Sequence, residues 1–253
     1  MNNQKKVLIA INITREQPAT ILEVLQKRDW QATIVNLEQG EAFPSPKDFD
    51  ALIVMGGPPS ADDTAQQTAW MPDEIAKLQE ALQANIPYLG VCLGMQTLVK
   101  AAGGVIAKSP RKEVGFRESY GEPLGKFYSM QMTDEGKNDP FFKGLDGDLP
   151  VFHLHGETVE LPDTMNPKAS LIATADVVPN QIVKVGQNAY GTQGHLELTP
   201  TMLQEWLKVD PDLLALGPQA VEQVWKDFLE IQEQYTKTST TLYNNFLDIA
   251  ERP

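Results

Sequence analysis

An alternation of strand-like and helix-like segments over the first hundred residues constrains this chain's fold more than any other feature. Val7–Ile13 is an apolar run of strand type, and Pro18–Arg28 carries Ile21, Leu22 and Leu25 on one helical face. Thr33–Leu37 is a second strand-like run, and Ala51–Met55 is a third that stops at Gly56-Gly57-Pro58-Pro59. In Asp73–Ala84 the residues Ile75, Leu78 and Leu82 recur at helical spacing. Ile86–Val91 then reads as a strand and Leu93–Ala102 as a helix closed by Gly103-Gly104. This pattern predicts an α/β fold with a parallel sheet and crossover helices, in which sites form beyond the carboxyl ends of strands. The Gly56 turn and the turn at Cys92 both fall at such ends.

From about residue 113 the pattern changes to shorter strands at Phe127–Met132, Val151–Leu154, Leu171–Ala175, Gln181–Val185 and Ala189–Gln193. "SPRKEVGF", residues 109–116, holds Arg111 and Lys112 and reads as a solvated loop. A helix starts near Thr199 with Pro200 at its first position. Residues 210–253 read as helical, with one stripe of Val221, Val224, Trp225, Phe228, Ile231 and Tyr235 and another of Leu242, Phe246 and Ile249. Such stripes predict packing rather than a ligand box. The expected division is a domain over 1–209 and a C-terminal helical extension over 210–253 packed on it.

The 21 basic residues face 34 acidic ones, a net charge of −13. That field repels polyanions and argues against nucleic-acid or anionic-membrane binding. No run approaches the roughly 18 apolar residues of a membrane helix, and "MNNQKKVLIAINITRE" lacks a signal h-region. One cysteine excludes an intrachain disulfide. Together these lead to the expectation of a cytoplasmic protein.

That cysteine, Cys92, sits where a strand turns directly into a helix, flanked by Gly90 and Gly94 as G-x-C-x-G. The pattern is the thiol counterpart of the G-x-S-x-G elbow. A helix N-terminus stabilises thiolate over thiol, and the backbone N–H after a nucleophile is one donor of an oxyanion hole. The Gly56-Gly57 loop could supply the other. A small buried apolar cysteine fits the same turn. A thiolate nucleophile needs a base, and the chain offers His153, His155 and His195. In "GTQGHLELT", His195 and Glu197 lie two apart on a predicted strand and so leave the same face, a carboxylate beside an imidazole. "FHLHGET" is a rival: His153, His155 and Glu157 share a face if the strand continues, and could be read as a zinc set. The metal spacings of helical or CxxC sites are absent, so the expectation is a site without metal or cofactor.

"GVCLGMQ" at Cys92, "MGGPPS" at Met55–Ser60 and "GHLE" at His195–Glu197 together resemble the class I glutamine amidotransferase family. "FHLHGETVELP", "VPNQ" and "LYNNFLDIAE" resemble its stand-alone members, which in turn are similar to the glutaminase half of guanylate synthase. The resemblance implies a flavodoxin-like three-layer sandwich and a triad of Cys92 as nucleophile, His195 as base and acid, and Glu197 as orienting carboxylate. It implies an oxyanion hole from the N–H groups of Gly57 and Leu93. Gln96 and the Leu154-His155-Gly156 segment would hold the amino-acid part of glutamine or another γ-glutamyl compound. It also raises a separate synthase partner, because no G-x-x-x-x-G-K-[ST] phosphate loop occurs in this sequence. Two residues depart from the family pattern. Gly194 replaces a larger residue before the base and is expected to widen the pocket, and Leu196 replaces a proline.

Overall fold

In the first strand, β1 (Lys6–Ile11), Val7, Ile9 and Ile11 enter one core and Leu8 and Ala10 enter another, so both faces of the strand are covered. The computed structural model describes residues 4–252. After β1 come α1 (Ala19–Lys27), β2 (Gln31–Asn36), β3 (Ala51–Val54), α2 (Met71–Gln83), β4 (Tyr88–Val91) and α3 (Leu93–Ala101). The second half contains β5 (Val105–Gly115), β6 (Ser129–Met132), β7 (Leu149–Pro150), β8 (His153–Glu160), β9 (Ala169–Thr174), β10 (Ile182–Val185) and β11 (Ala189–Thr192). The chain closes with α4 (Pro200–Val209), α5 (Pro211–Ala215) and the 33-residue α6 (Pro218–Ala250).

Among the described residues one sheet has nine strands in the order β2-β1-β3-β4-β11-β10-β9-β6-β7. The run β2-β1-β3-β4-β11 is parallel, and β10, β9, β6 and β7 continue it antiparallel. One face is covered by α1 and α6, whose Ile21, Val24, Leu25, Tyr243, Phe246 and Leu247 pack against β1, β3 and β4 side chains. The opposite core holds Leu78 and Ala81 of α2 and Met95, Leu98 and Val99 of α3. The result is the α/β sandwich with a large, mostly parallel central sheet that the alternation predicts. The periodic elements fall within about two residues of expectation because their apolar faces are unbroken.

The stretch expected to be a solvated loop at 109–116 belongs instead to β5, which pairs antiparallel with β8 in a separate two-stranded ribbon. Its register runs from Lys108 opposite Glu157 directly to Glu113 opposite His155, so Ser109–Lys112 bulge out of the ladder. Pro110 has no N–H for a ladder, which is why the segment lacks a strand signature.

The C-terminal helices contribute to the same core. Asn245 of α6 donates to the carbonyls of Phe141 and Lys143, each at 2.9 Å. Arg28 pairs with Asp248 and Glu251 at 2.9 and 2.8 Å. Among the described residues no helix is long and apolar enough to cross a membrane.

Candidate active site

The carboxyl ends of β1, β3, β4 and β11 point to one edge of the sheet, and each is followed by a polar turn. Asn12–Glu16 follow β1, Gly56-Gly57 follow β3, Cys92 follows β4, and Gln193–Glu197 follow β11. Cys92 has φ 51° and ψ −104°, a left-handed turn that bends β4 straight into α3. The flanking glycines are required by contact: a Cβ on Gly90 would lie 2.3 Å from the Gly94 carbonyl oxygen, and one on Gly94 would lie 2.1 Å from that of Val54. The backbone is pinned by the Cys92 N–H donating to the Thr192 carbonyl at 2.7 Å.

His195 does not lie on a strand, contrary to the expectation from its spacing, because β11 ends at Thr192. It is held instead by an isolated bridge, its N–H donating to the Phe152 carbonyl at 2.8 Å. The extended backbone still puts His195 and Glu197 on one side, with Nδ1 2.7 Å from Glu197 Oε1. The second oxygen, Oε2, accepts from the Leu196 N–H at 2.9 Å. Both side chains are buried. Burial pushes the His195 pKa down, but the Glu197 charge and hydrogen bonds to Cys92 and Glu197 outweigh it and hold the imidazole well above its ordinary value. Trp206 packs edge-on against the imidazole, with ring centroids 5.0 Å apart.

A cavity of about 290 Å³ opens over this edge and is lined by Gly57, Cys92, Gln96, Leu154, His155 and Gly156, together with Lys112 and Asp212 at its rim. Thus the proposed nucleophile, one proposed oxyanion donor and all four expected substrate contacts face one space. Leu93 adjoins it, since a Cβ on Gly57 would stand 3.4 Å from Leu93 Cδ2. Among the described residues, no loop, cap or side-chain hydrogen bond takes the N–H of Gly57 or Leu93. Leu93 is the first residue of α3, where an N–H has no partner within the helix. Gln96 is fixed by donation to the Glu157 carbonyl at 3.2 Å.

Two expectations are corrected by the packing. Gly194 does not widen the pocket: a Cβ there would meet Val151 Cγ2 at 2.1 Å and His153 Cε1 at 3.1 Å, so the space beside it is already filled by core. The carboxylate gathered with His153 and His155 is Glu113 of β5 rather than Glu157, because the ribbon register puts Glu113 opposite His155.

The sequence model of the family described as glutamine amidotransferase class-I matches residues 13–209. This chain belongs to that family. The amidotransferase is 28% identical over 197 residues to the glutamine amidotransferase-like protein YfeJ of Salmonella typhimurium, covering 77% of this chain and 76% of the relative. It is 30% identical over 184 residues to a GMP synthase of Thermosipho africanus, covering 71% of this chain but only 30% of that longer protein. A separate glutamine-hydrolyzing GMP synthase polypeptide of Sulfolobus acidocaldarius is 26% identical over 156 residues, covering 61% of this chain and 71% of that polypeptide. Among solved structures, SMU.1228c superposes with a TM-score of 0.81 at 28% identity, covering 98% of this chain and all of its own. A glutamine amidotransferase from Thermotoga maritima has the same fold, with a TM-score of 0.83 at 21% identity and 99% of this chain covered.

Several residues of this amidotransferase site escape a sequence reading. Asn12 braces the Gly56-Gly57 turn, donating to the Met55 carbonyl at 3.2 Å while its Oδ1 accepts from Trp70 at 2.7 Å. Gln193 Nε2 points at Cys92 Sγ from 3.9 Å. Glu16 is buried, with an oxygen that no protein group hydrogen-bonds. A Cβ on Gly56 would lie 2.3 Å from that oxygen, 2.9 Å from His195 Cε1 and 3.3 Å from Cys92 Cβ, so carboxyl, imidazole and cysteine crowd one backbone position. Burial lifts the Glu16 carboxyl from 4.5 to about 7, against the pull of His195. Nothing local in "NITREQP" distinguishes such a glutamate from a solvated one.

Proposed function

We propose that this chain cleaves the γ-amide of glutamine or of a γ-glutamyl compound through a covalent thioester on Cys92. In this reading the Cys92 thiolate attacks the γ-carbonyl carbon, and the developing oxyanion accepts hydrogen bonds from the N–H groups of Gly57 and Leu93. His195, protonated at the nitrogen facing Cys92, gives its proton to the departing nitrogen as the C–N bond breaks, leaving a γ-glutamyl thioester and free ammonia or amine. Water then gives a proton to His195 and attacks the thioester, and the imidazolium returns that proton to the leaving thiolate. Glu197 holds the imidazole tautomer and steadies its positive form. Gln96 and Leu154-His155-Gly156 line the space for the amino-acid end.

The observation that carries the reading is the continuous line from the strained Cys92 turn through His195 to Glu197, at the floor of a pocket that also faces two unspent N–H donors. The decisive measurement is release of ammonia and glutamate from glutamine and a panel of γ-glutamyl amides. Turnover is expected to fall at least about 10³-fold in Cys92→Ala with the fold retained. Turnover that survives this substitution overturns the reading.

A second reading, in which the chain supplies glutaminase activity to a separate synthase, is favoured by its match to the separate glutamine-hydrolyzing GMP synthase polypeptide of Sulfolobus acidocaldarius. Glutaminase activity that appears only when a co-purifying synthase is added back would select it.

A further inference from the structure

The side-chain cluster on the β5–β8 ribbon consists of Glu113, His153 and His155, which are 2%, 1% and 5% exposed. The ribbon register builds it: the two histidines lie two apart on β8 and so share a face, and Glu113 stands directly opposite His155. One ligand-capable atom from each lies within 4.8 Å of the others. Glu113 Oε2 is 3.2 Å from His155 Nε2 and 3.8 Å from His153 Nε2. No protein group hydrogen-bonds Glu113 Oε2, His155 Nε2 or His153 Nδ1, although all three atoms are buried.

The proton positions make this arrangement informative. His155 Nδ1 lies 3.0 Å from the carbonyl oxygen of Glu157. A carbonyl oxygen can only accept, so Nδ1 is the nitrogen that carries hydrogen. The lone pair of neutral His155 Nε2 therefore aims at a carboxylate oxygen, and two electron-pair donors face each other out of water. Such a contact is stable only with a cation between them. An Nδ1–H donated to a backbone carbonyl is also how a histidine is oriented to bind a metal through Nε2. Ligands of a tetrahedral zinc at about 2.1 Å stand roughly 3.4 Å apart, close to the two separations here.

We propose that Glu113, His153 and His155 form a binding site for a divalent transition-metal ion of the zinc class. Two imidazoles and a carboxylate suit zinc and its neighbours better than magnesium or calcium. A cavity of about 210 Å³ lined by Glu113, Lys126, Tyr128 and Asp176 reaches the cluster from the side away from Cys92, giving an ion a way in and room for a fourth, water ligand. The ion fastens β5 to β8 beneath the Leu154-His155-Gly156 edge of the pocket. It takes no part in amide cleavage, and the site stands whether or not the reading of that reaction does.

The test is elemental analysis of the protein as purified, followed by chelator dialysis and zinc titration against a competing chromophoric chelator. The same titration is run on Cys92→Ala, Glu113→Gln and His153→Phe. The expected result is one ion per chain, bound equally by Cys92→Ala and at least tenfold more weakly by each of the other two. No binding, binding that either ribbon variant retains, or binding lost in Cys92→Ala overturns the proposal. Should a ribbon variant fail to fold, cobalt replaces zinc in the Cys92→Ala chain. Visible bands of a four-coordinate nitrogen and oxygen site support the assignment, and the spectrum of hydrated cobalt overturns it.

Discussion

At the scale of the residue, the triad's state is set by charge. The raised His195 pKa follows from the Glu197 carboxylate 2.7 Å from Nδ1 and from the Cys92 side chain, working against burial. An imidazolium held in this way favours the thiolate beside it. Replacing Glu197 with Gln removes the charge and keeps the shape. The His195 pKa then falls, the thiolate loses its partner, and the pH midpoint of Cys92 alkylation is expected to rise by about one unit or more. Iodoacetamide alkylation followed across pH measures this, since Cys92 is the only cysteine. An unmoved midpoint would remove Glu197 from the charge balance of the site.

At the scale of the element, α6 reaches the proposed base from 40 residues further along the chain. Tyr235, fully buried, donates its hydroxyl proton to the His195 carbonyl at 2.9 Å and accepts from the Leu198 N–H at 3.4 Å. Tyr235→Phe leaves that buried N–H unpaired, at an expected cost of about 1–2 kcal/mol in urea unfolding, together with a lower kcat from a less firmly placed His195. An unchanged kcat would make Tyr235 a packing residue only.

How far such links can be read in the sequence differs from element to element. Strands β1, β3 and β4 were legible because an unbroken apolar run needs burial on both faces, and Cys92, His195 and Glu197 because their chemistry is confined to short motifs. The β5–β8 ribbon was not, since Pro110, Arg111 and Lys112 interrupt any alternation and the pairing of Glu113 with His155 crosses 42 positions. Tyr235 reads as one more residue of an apolar stripe, and its hydroxyl bond exists only after the helix has docked.

At the scale of the whole molecule, two buried carboxyls link stability to pH. Burial lifts both Glu16 and Glu74 from 4.5 to about 7, and Glu74 has no hydrogen-bond partner on either oxygen. The unfolded chain gives up these protons near 4.5 and the folded chain near 7, so the folded state binds more protons between those values. Their contribution is complete below about 4.5 and is lost as pH rises to about 7, where it levels off. Gln cannot ionise. Going from about pH 4.5 to about pH 8, Glu74→Gln is therefore expected to gain about 3 kcal/mol relative to the unmutated chain. Urea midpoints at the two pH values check this, and parallel slopes for the two proteins would contradict it.

The turn at Cys92 carries a consequence for the balance between activity and durability. With φ at 51°, a side chain of any kind is a burden at this position, and only a residue without a Cβ is at ease there. Alanine in place of glycine stabilises most sites, but here the order should reverse, with Cys92→Gly outlasting Cys92→Ala by about 1 kcal/mol. The fold holds its one thiol in the place where it would be more durable with no side chain at all.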